Sequence, residues 1–186
     1  MKQIKKLMLL AIVAVSSHAA FAQSEKTVMV GGAVMYPSKN IVENAVNSKD
    51  HTTLVAAVKA AGLVETLTSA GPFTVFAPTN AAFDLLPAGT VASLLKPENK
   101  TKLTGVLTYH VVSGKVSSKQ LINMIKSGKG KASIKTVAGG TLTAMRKGNK
   151  ISLKDESGRI AYVTIKDVNQ SNGVIHVIDH VLLPAM

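Results

Sequence analysis

The stretch from Gly71 to Pro87, GPFTVFAPTNAAFDLLP, passes from a strand pattern to a helix pattern within a few residues, and the rest of the chain has to be arranged around that switch. Gly71-Pro72 opens a turn, and Phe73-Thr74-Val75-Phe76 has the β-branched and aromatic content of a short buried strand. Ala77-Pro78 ends it, because proline has no N–H to give to a sheet ladder. Thr79 or Asn80 then offers a side-chain oxygen to the orphan amides of a helix. Its apolar turn is Ala81, Ala82, Phe83, Leu85 and Leu86, and Pro87 stops it. Taken alone, the stretch is a strand feeding a helix in a core, with no chemistry of its own.

The flanking halves differ in kind. Before the switch, Ile41, Val42, Ala45 and Val46 share one face of a helix that starts near Ser38 or Asn40, with Glu43 placed to complete a capping box on Asn40. Asp50 is expected to cap a second helix with the stripe Leu54, Val55, Val58 and Ala61, ended by Gly62 in the left-handed position; Leu63, Val64 and Leu67 form a shorter third. After it come a turn or two over Thr90 to Leu95 and a helix whose buried stripe is Leu103, Val106, Leu107 and His110. The second half reads as strands over 132–137, 141–146, 151–153 and 160–165, interrupted by one helix over 118–126 with Leu121, Ile122 and Ile125 facing inward. Helices gathered early and antiparallel strands gathered late argue for a single α+β domain.

Residues 1–22 read as an export signal. Lys2, Lys5 and Lys6 precede an apolar run from Leu7 to Val15, and Ala20-Phe21-Ala22 supplies a small-residue cleavage site of bacterial appearance. That run is shorter than the ~20 residues a membrane-spanning helix needs, and no later segment approaches that length, so no transmembrane span is expected. Gln23 to Tyr36, rich in glycine and small residues, is expected to be a flexible lead-in, with the domain itself over 37–186. Cysteine is absent, which excludes disulfides, thiolate metal sites and a cysteine nucleophile, so the core alone must hold the fold.

Charge is the other constraint. The chain has 22 basic and 10 acidic residues, and removal of the three signal lysines leaves 19 − 10 = +9. From Lys115 to Lys166, ten lysines with Arg146 and Arg159 stand against Asp155 and Glu156 alone. A lysine-rich solvated face would suffice to keep an exported domain soluble; the sharper expectation is attraction to an anionic polysaccharide or an acidic cell-surface protein. Export and few aromatics argue against nucleic acid.

Three motifs carry a family resemblance. Phe73 to Phe83 resembles the first signature of the fasciclin domain, GVIHVIDHVLLP at 173–184 resembles the second, and Tyr109-His110 resembles the pair such domains carry between them. The resemblance implies a fasciclin-like β-wedge of two sheets with helices packed at one side. It implies a secreted, periplasmic or extracellular domain that works by adhesion or surface interaction, without catalysis or a cofactor, and with weak self-association possible. In animal members the Tyr-His pair and an Asp-Ile dipeptide before the second motif belong to a receptor-binding segment. Tyr109, His110 and Asp167-Val168 therefore become candidate binding residues, beside Lys129, Lys131 and Lys135 of the basic region. Since some fasciclin proteins associate with carotenoids, the alternative function is a carrier of a hydrophobic ligand such as a carotenoid or lipid, in a cleft lined by Leu121, Ile122 and Met124.

The residues themselves offer plainer readings. His176, Asp179 and His180 have a metal-like spacing, but they lie in a β-branched run bounded by Gly173 and Pro184. On a strand rising about 3.3 Å per residue, the two histidines stand roughly 13 Å apart, too far for a common ion. His176 is better read as buried in a central strand, and Tyr109 and His110 as a pair satisfying internal partners. No nucleophile elbow or phosphate loop is present, so no enzyme is expected.

Overall fold

The computed structural model describes residues 26–185; the expected export signal lies outside them. Its centre is a parallel pair of strands, β3 (Phe73–Pro78) and β9 (Gly173–Ile178), in register from Phe73 opposite Gly173 to Pro78 opposite Ile178. β4 (Val111–Ser113) flanks β3 antiparallel, and on the other side β9 pairs with the long β8 (Ile160–Gln170), followed by β7 (Lys150–Lys154), β6 (Thr141–Lys147) and β5 (Lys131–Lys135).

β8 makes the wedge. Residues 160–162 of β8 pair with β7, while residues from Val163 to Gln170 pair with β9 through register shifts between Val163, Ile165 and Val168. Such bulges bend a strand and strengthen its twist, so one strand can serve two sheets. The far ends nearly meet, with the Val137 N–H donating to the Val111 carbonyl at 2.8 Å. This is the α+β fasciclin-like wedge that the sequence led us to expect.

Alternation along β3 and β9 sorts the core into two. Val75, Ala77, Ile175 and Val177 face the helical layer, whereas Phe76 and Ile178 face the interior of the curled sheet. The helical layer comprises α1 (Ile41–Ala45), α2 (Thr52–Ala61), α3 (Val64–Thr68), α4 (Asn80–Asp84), α5 (Thr90–Leu94) and α6 (Lys100–Tyr109). Inside the curl, Ala132, Ala144, Leu153 and Ala161 stand opposite one another across four strands. With α7 (Ser118–Ser127) packed over them through Leu121 and Ile125, they close a second core.

Local signals were mostly read as they fold. Asn40 and Glu43 form the capping box, Thr79 caps α4 by accepting from the Ala82 N–H, and Gly62 closes α2 with φ +73°, a conformation only glycine adopts cheaply. Three expectations change. Residues 23–36 are not a loose lead-in throughout: β1 (Val28–Val30) and β2 (Ala33–Met35) form a hairpin whose Val30 and Met35 are buried in the helical core. Asp50 makes no cap; it lies in a 3-10 turn over 49–51 that runs straight into α2. Pro78 ends β3 from within, as its last residue.

The turn from β8 to β9 is stitched to the helices. Asn172 is buried; its Oδ1 accepts from the Ile41 N–H at 3.0 Å, and its Nδ2 donates to the carbonyls of Leu67 at 2.8 Å and Ser69 at 2.9 Å. Gln170 is likewise buried and accepts from Asn44. Replacing a side chain that makes three such bonds strands several buried groups, so Asn172→Ala should cost about 3 kcal/mol, read as a lower urea midpoint at unchanged slope.

Candidate functional site

α6 ends in Tyr109 with His110 as its C-terminal cap, and the fold turns both inward. The Tyr109 hydroxyl donates to the Thr141 carbonyl at 3.0 Å and accepts from the Glu156 N–H at 3.2 Å, tying α6 to the start of β6 and the turn after β7. His110 Nδ1 donates to the Val106 carbonyl at 2.8 Å, and its Nε2 accepts from the Leu182 N–H at 3.0 Å, which ties α6 to the chain after β9. These partners fix the Nδ1–H tautomer. Both residues are buried, Tyr109 completely, and burial holds the His110 pKa down to about 4.

Asp167 and Val168 sit in the C-terminal half of β8. Asp167 has φ +58°, and its carboxylate caps α7, accepting from the Ser118 N–H at 2.7 Å and from the Ser118 hydroxyl. Its own N–H donates to Nδ1 of His176 at 3.2 Å. Val168 is packed into the helical core, 1% exposed. The candidate pair Asp167-Val168 is therefore not on an exposed loop: the ladder of β8 runs to Gln170, and Val168, Gln170 and Asn172 are all buried.

His176 is completely buried in β9, stacked on Phe76 with ring centroids 5.7 Å apart. Its Nε2 donates to the Val116 carbonyl at 2.9 Å while Nδ1 accepts from Asp167, so both nitrogens are engaged and burial lowers its pKa. His180 lies beyond the strand and pairs with Asp179 at 2.8 Å. Leu121, Ile122 and Met124 do not line a common cleft along α7: Leu121 is fully buried in the second core, Met124 is exposed, and Ile122 borders a surface pocket with Ile151 and Val163 instead.

The lysines are different. On β5, Ala132 and Ile134 point into the core, so Lys131 and Lys135 stand on the opposite face, exposed, with Lys129 just before them and Lys126 at the end of α7. Register across the sheet adds Lys154 of β7 to the same outer face, through Ser133, Thr143 and Lys154. The nearby acids are occupied: Asp155 is buried and accepts from the Arg159 and Leu183 amides, and Glu156 accepts from Thr141 and Ala185. Among the described residues the lysine–carboxylate ion pair is Lys96–Glu98, and Asp179 hydrogen-bonds His180; neither contact is on this face.

Comparison with known proteins agrees with this architecture. The sequence profile of the fasciclin domain matches residues 49–184. The chain belongs to the fasciclin domain family. Among fasciclin relatives, protein sll1483 of Synechocystis sp. is 50% identical over 163 residues, 88% of this chain and 83% of that protein. The immunogenic protein MPB70 of Mycobacterium bovis is 37% identical over 75% of this chain and 66% of its own length. The transforming growth factor-beta-induced protein ig-h3 of Sus scrofa is 36% identical over 70% of this chain, which corresponds to only 17% of that longer protein. A fasciclin domain pair from the insect cell adhesion molecule Fasciclin I shares the fold at a TM-score of 0.70 and 17% identity, covering 80% of this chain and 52% of that one.

Two features of the fasciclin fold here escaped the sequence. Asn172 looks like a turn residue and is a buried staple. His51, next to charged Lys49 and Asp50, looks like part of an exposed helix start, yet it is 3% exposed. Nothing in the local pattern distinguishes them.

The buried imidazoles set a pH dependence. His110, His176 and His51 all have lowered pKa values, chiefly through burial, so the unfolded chain takes up protons that the folded one refuses. The stability that these neutral histidines contribute is fully present above pH ~6.5 and is lost as pH falls from there toward about 4, with His110 alone accounting for about 3 kcal/mol. Urea titrations from pH 7 to pH 4 should show this fall, and His110→Gln, though less stable at pH 7, should show a shallower one.

Proposed function

We propose that this fasciclin domain is exported and acts as a non-catalytic adhesion module that docks on an anionic polymer or acidic protein at the cell surface. Support for export comes from the Lys-rich start, apolar run and Ala-Phe-Ala site of residues 1–22, and no helix among the described residues is long and apolar enough to cross a membrane. The observation that carries the reading is the outer face of β5. It presents Lys131 and Lys135, flanked by Lys129, to solvent while the neighbouring carboxylates are held by backbone amides. Adhesion is also the activity named for the insect molecule that shares this fold.

In this reading the candidate residues divide their work. Tyr109, His110, Asp167 and Val168 do not meet the partner; they hold α6, α7 and β8 so that the curled sheet is rigid. A preorganised face loses little entropy on binding, and its long-range field speeds encounter. The contacts are ionic and solvent-exposed, so salt must weaken them as the Debye length shortens from about 10 Å at 0.1 M to about 3 Å at 1 M.

Binding to dextran sulfate, followed by titration calorimetry, tests this directly. The Lys129/Lys131/Lys135→Glu variant should bind at least about tenfold more weakly at low salt, and the unchanged protein should lose most of its affinity by 1 M salt. A Lys59/Lys100/Lys102→Glu variant, with the same change of net charge on α2 and α6, should lose much less. Equal losses in the two variants would mean that net charge alone, and no particular face, is responsible.

A further inference from the structure

Beneath the β1–β2 hairpin lies an apolar cavity of about 60 Å³, walled by Val30 and Met35 of the hairpin, Leu54 and Val58 of α2, Leu67 of α3 and Ile175 of β9. The space exceeds the ~10–15 Å³ that one water requires. Half-buried Val55 and Val64 and exposed Lys59 also border it, so its lining reaches the surface beside α2 and α3.

Its polar lining is sparse and specific. Ser48, His51 and His110 border it, and both nitrogens of His110 are already engaged within the fold. His51 shares Nδ1 with the Ser48 hydroxyl at 2.8 Å, but its buried Nε2 has no hydrogen-bond partner. With Ser48 donating to Nδ1, the proton resides on Nε2; the Ala77 carbonyl lies near enough to favour that tautomer but outside hydrogen-bonding geometry, so it does not satisfy the N–H. A buried N–H without an acceptor is costly, and folded proteins rarely leave one unanswered. A single water would answer it and leave the apolar remainder empty.

We propose that this cavity is a ligand site for a compact apolar molecule, or the apolar end of a longer one, whose single acceptor oxygen accepts a hydrogen bond from the His51 Nε2–H. Ketones and ethers fit that description; hydrocarbons lack the acceptor, and an ionised group would have to be desolvated among apolar walls. Gly31 helps to hold the roof, because its carbonyl accepts from the Lys49 N–H at 3.0 Å beside Ser48, so the hairpin and the Ser48–His51 pair are positioned together. The site faces the helical core and is independent of the lysine face on β5.

A matched pair of probes tests it: cyclopentanone and methylcyclopentane have the same number of heavy atoms, and only the first carries an acceptor. In titrations of the purified protein followed by nuclear magnetic resonance, cyclopentanone should bind saturably, shift the His51 Nε2–H signal and bind about fivefold to tenfold more tightly than the hydrocarbon. His51→Phe should erase that preference. Val58→Phe, which fills the cavity and keeps His51, should abolish binding of both probes and carries the test if His51→Phe does not fold. Absence of saturable binding, a stationary Nε2–H signal indicating bound water only, or undiminished binding in Val58→Phe would each overturn the proposal.

Discussion

The parallel pairing of β3 with β9 is the contact on which the remaining structure depends. It joins the two signature motifs, a hundred residues apart in the chain, and it is buried on both faces. The approach is close enough to require a glycine: a Cβ on Gly173 would stand 2.1 Å from the Phe73 carbonyl oxygen. Because parallel strands need a long crossover, everything between Pro78 and Gly173 can be viewed as that crossover, elaborated into the helical layer and the curled sheet.

From this pair, polar side chains reach outward to fasten the other elements. Thr74 accepts from the Val116 N–H and donates to the Gly114 carbonyl, and His176 donates to the Val116 carbonyl, which together fix the chain entering α7. Asp167, hydrogen-bonded to His176, caps the same helix. His110 and Asp155 both hold the segment after β9 through the amides of Leu182 and Leu183. Each bond is modest in isolation, but each closes a long loop around an apolar core, where an unmade bond would be expensive. The imidazole and phenol groups that might suggest chemistry are consumed in this way, which leaves exposed lysines and one incompletely satisfied histidine as the groups free to meet other molecules.

Much of this was legible in the sequence, because short-range physics decided it. The capping box at Asn40, the strand-to-helix switch at Phe73–Phe83 and the two-sided apolar run of β9 all fold as their patterns indicate. The spacing argument placed His176 in a buried strand, where the fold supplies partners for both ring nitrogens. What stayed hidden depends on contacts distant in the chain. The hairpin over 28–35 consists of two three-residue strands around Gly31-Gly32, too short for an alternating pattern to stand out, and it is stabilised by packing on α1 and the core. Asp167 to Asn172 has a polar, loop-like composition, yet the bulges of β8 and the staple at Asn172 draw it into the interior. The cavity beside His51 arises only where hairpin, helices and sheet meet, so no window of sequence contains it.

Native-state hydrogen exchange tests the central claim most directly, by following the amides of β3 and β9 as denaturant is added. If their pairing is the constraint that all else relies on, amides such as Phe76 and Val177 exchange only through global unfolding, with the slope of the whole transition, while α5 and the β1–β2 hairpin open at lower free energy. Exchange of β3 and β9 through a local opening, with the curled sheet of β5 to β8 still protected, would contradict the account.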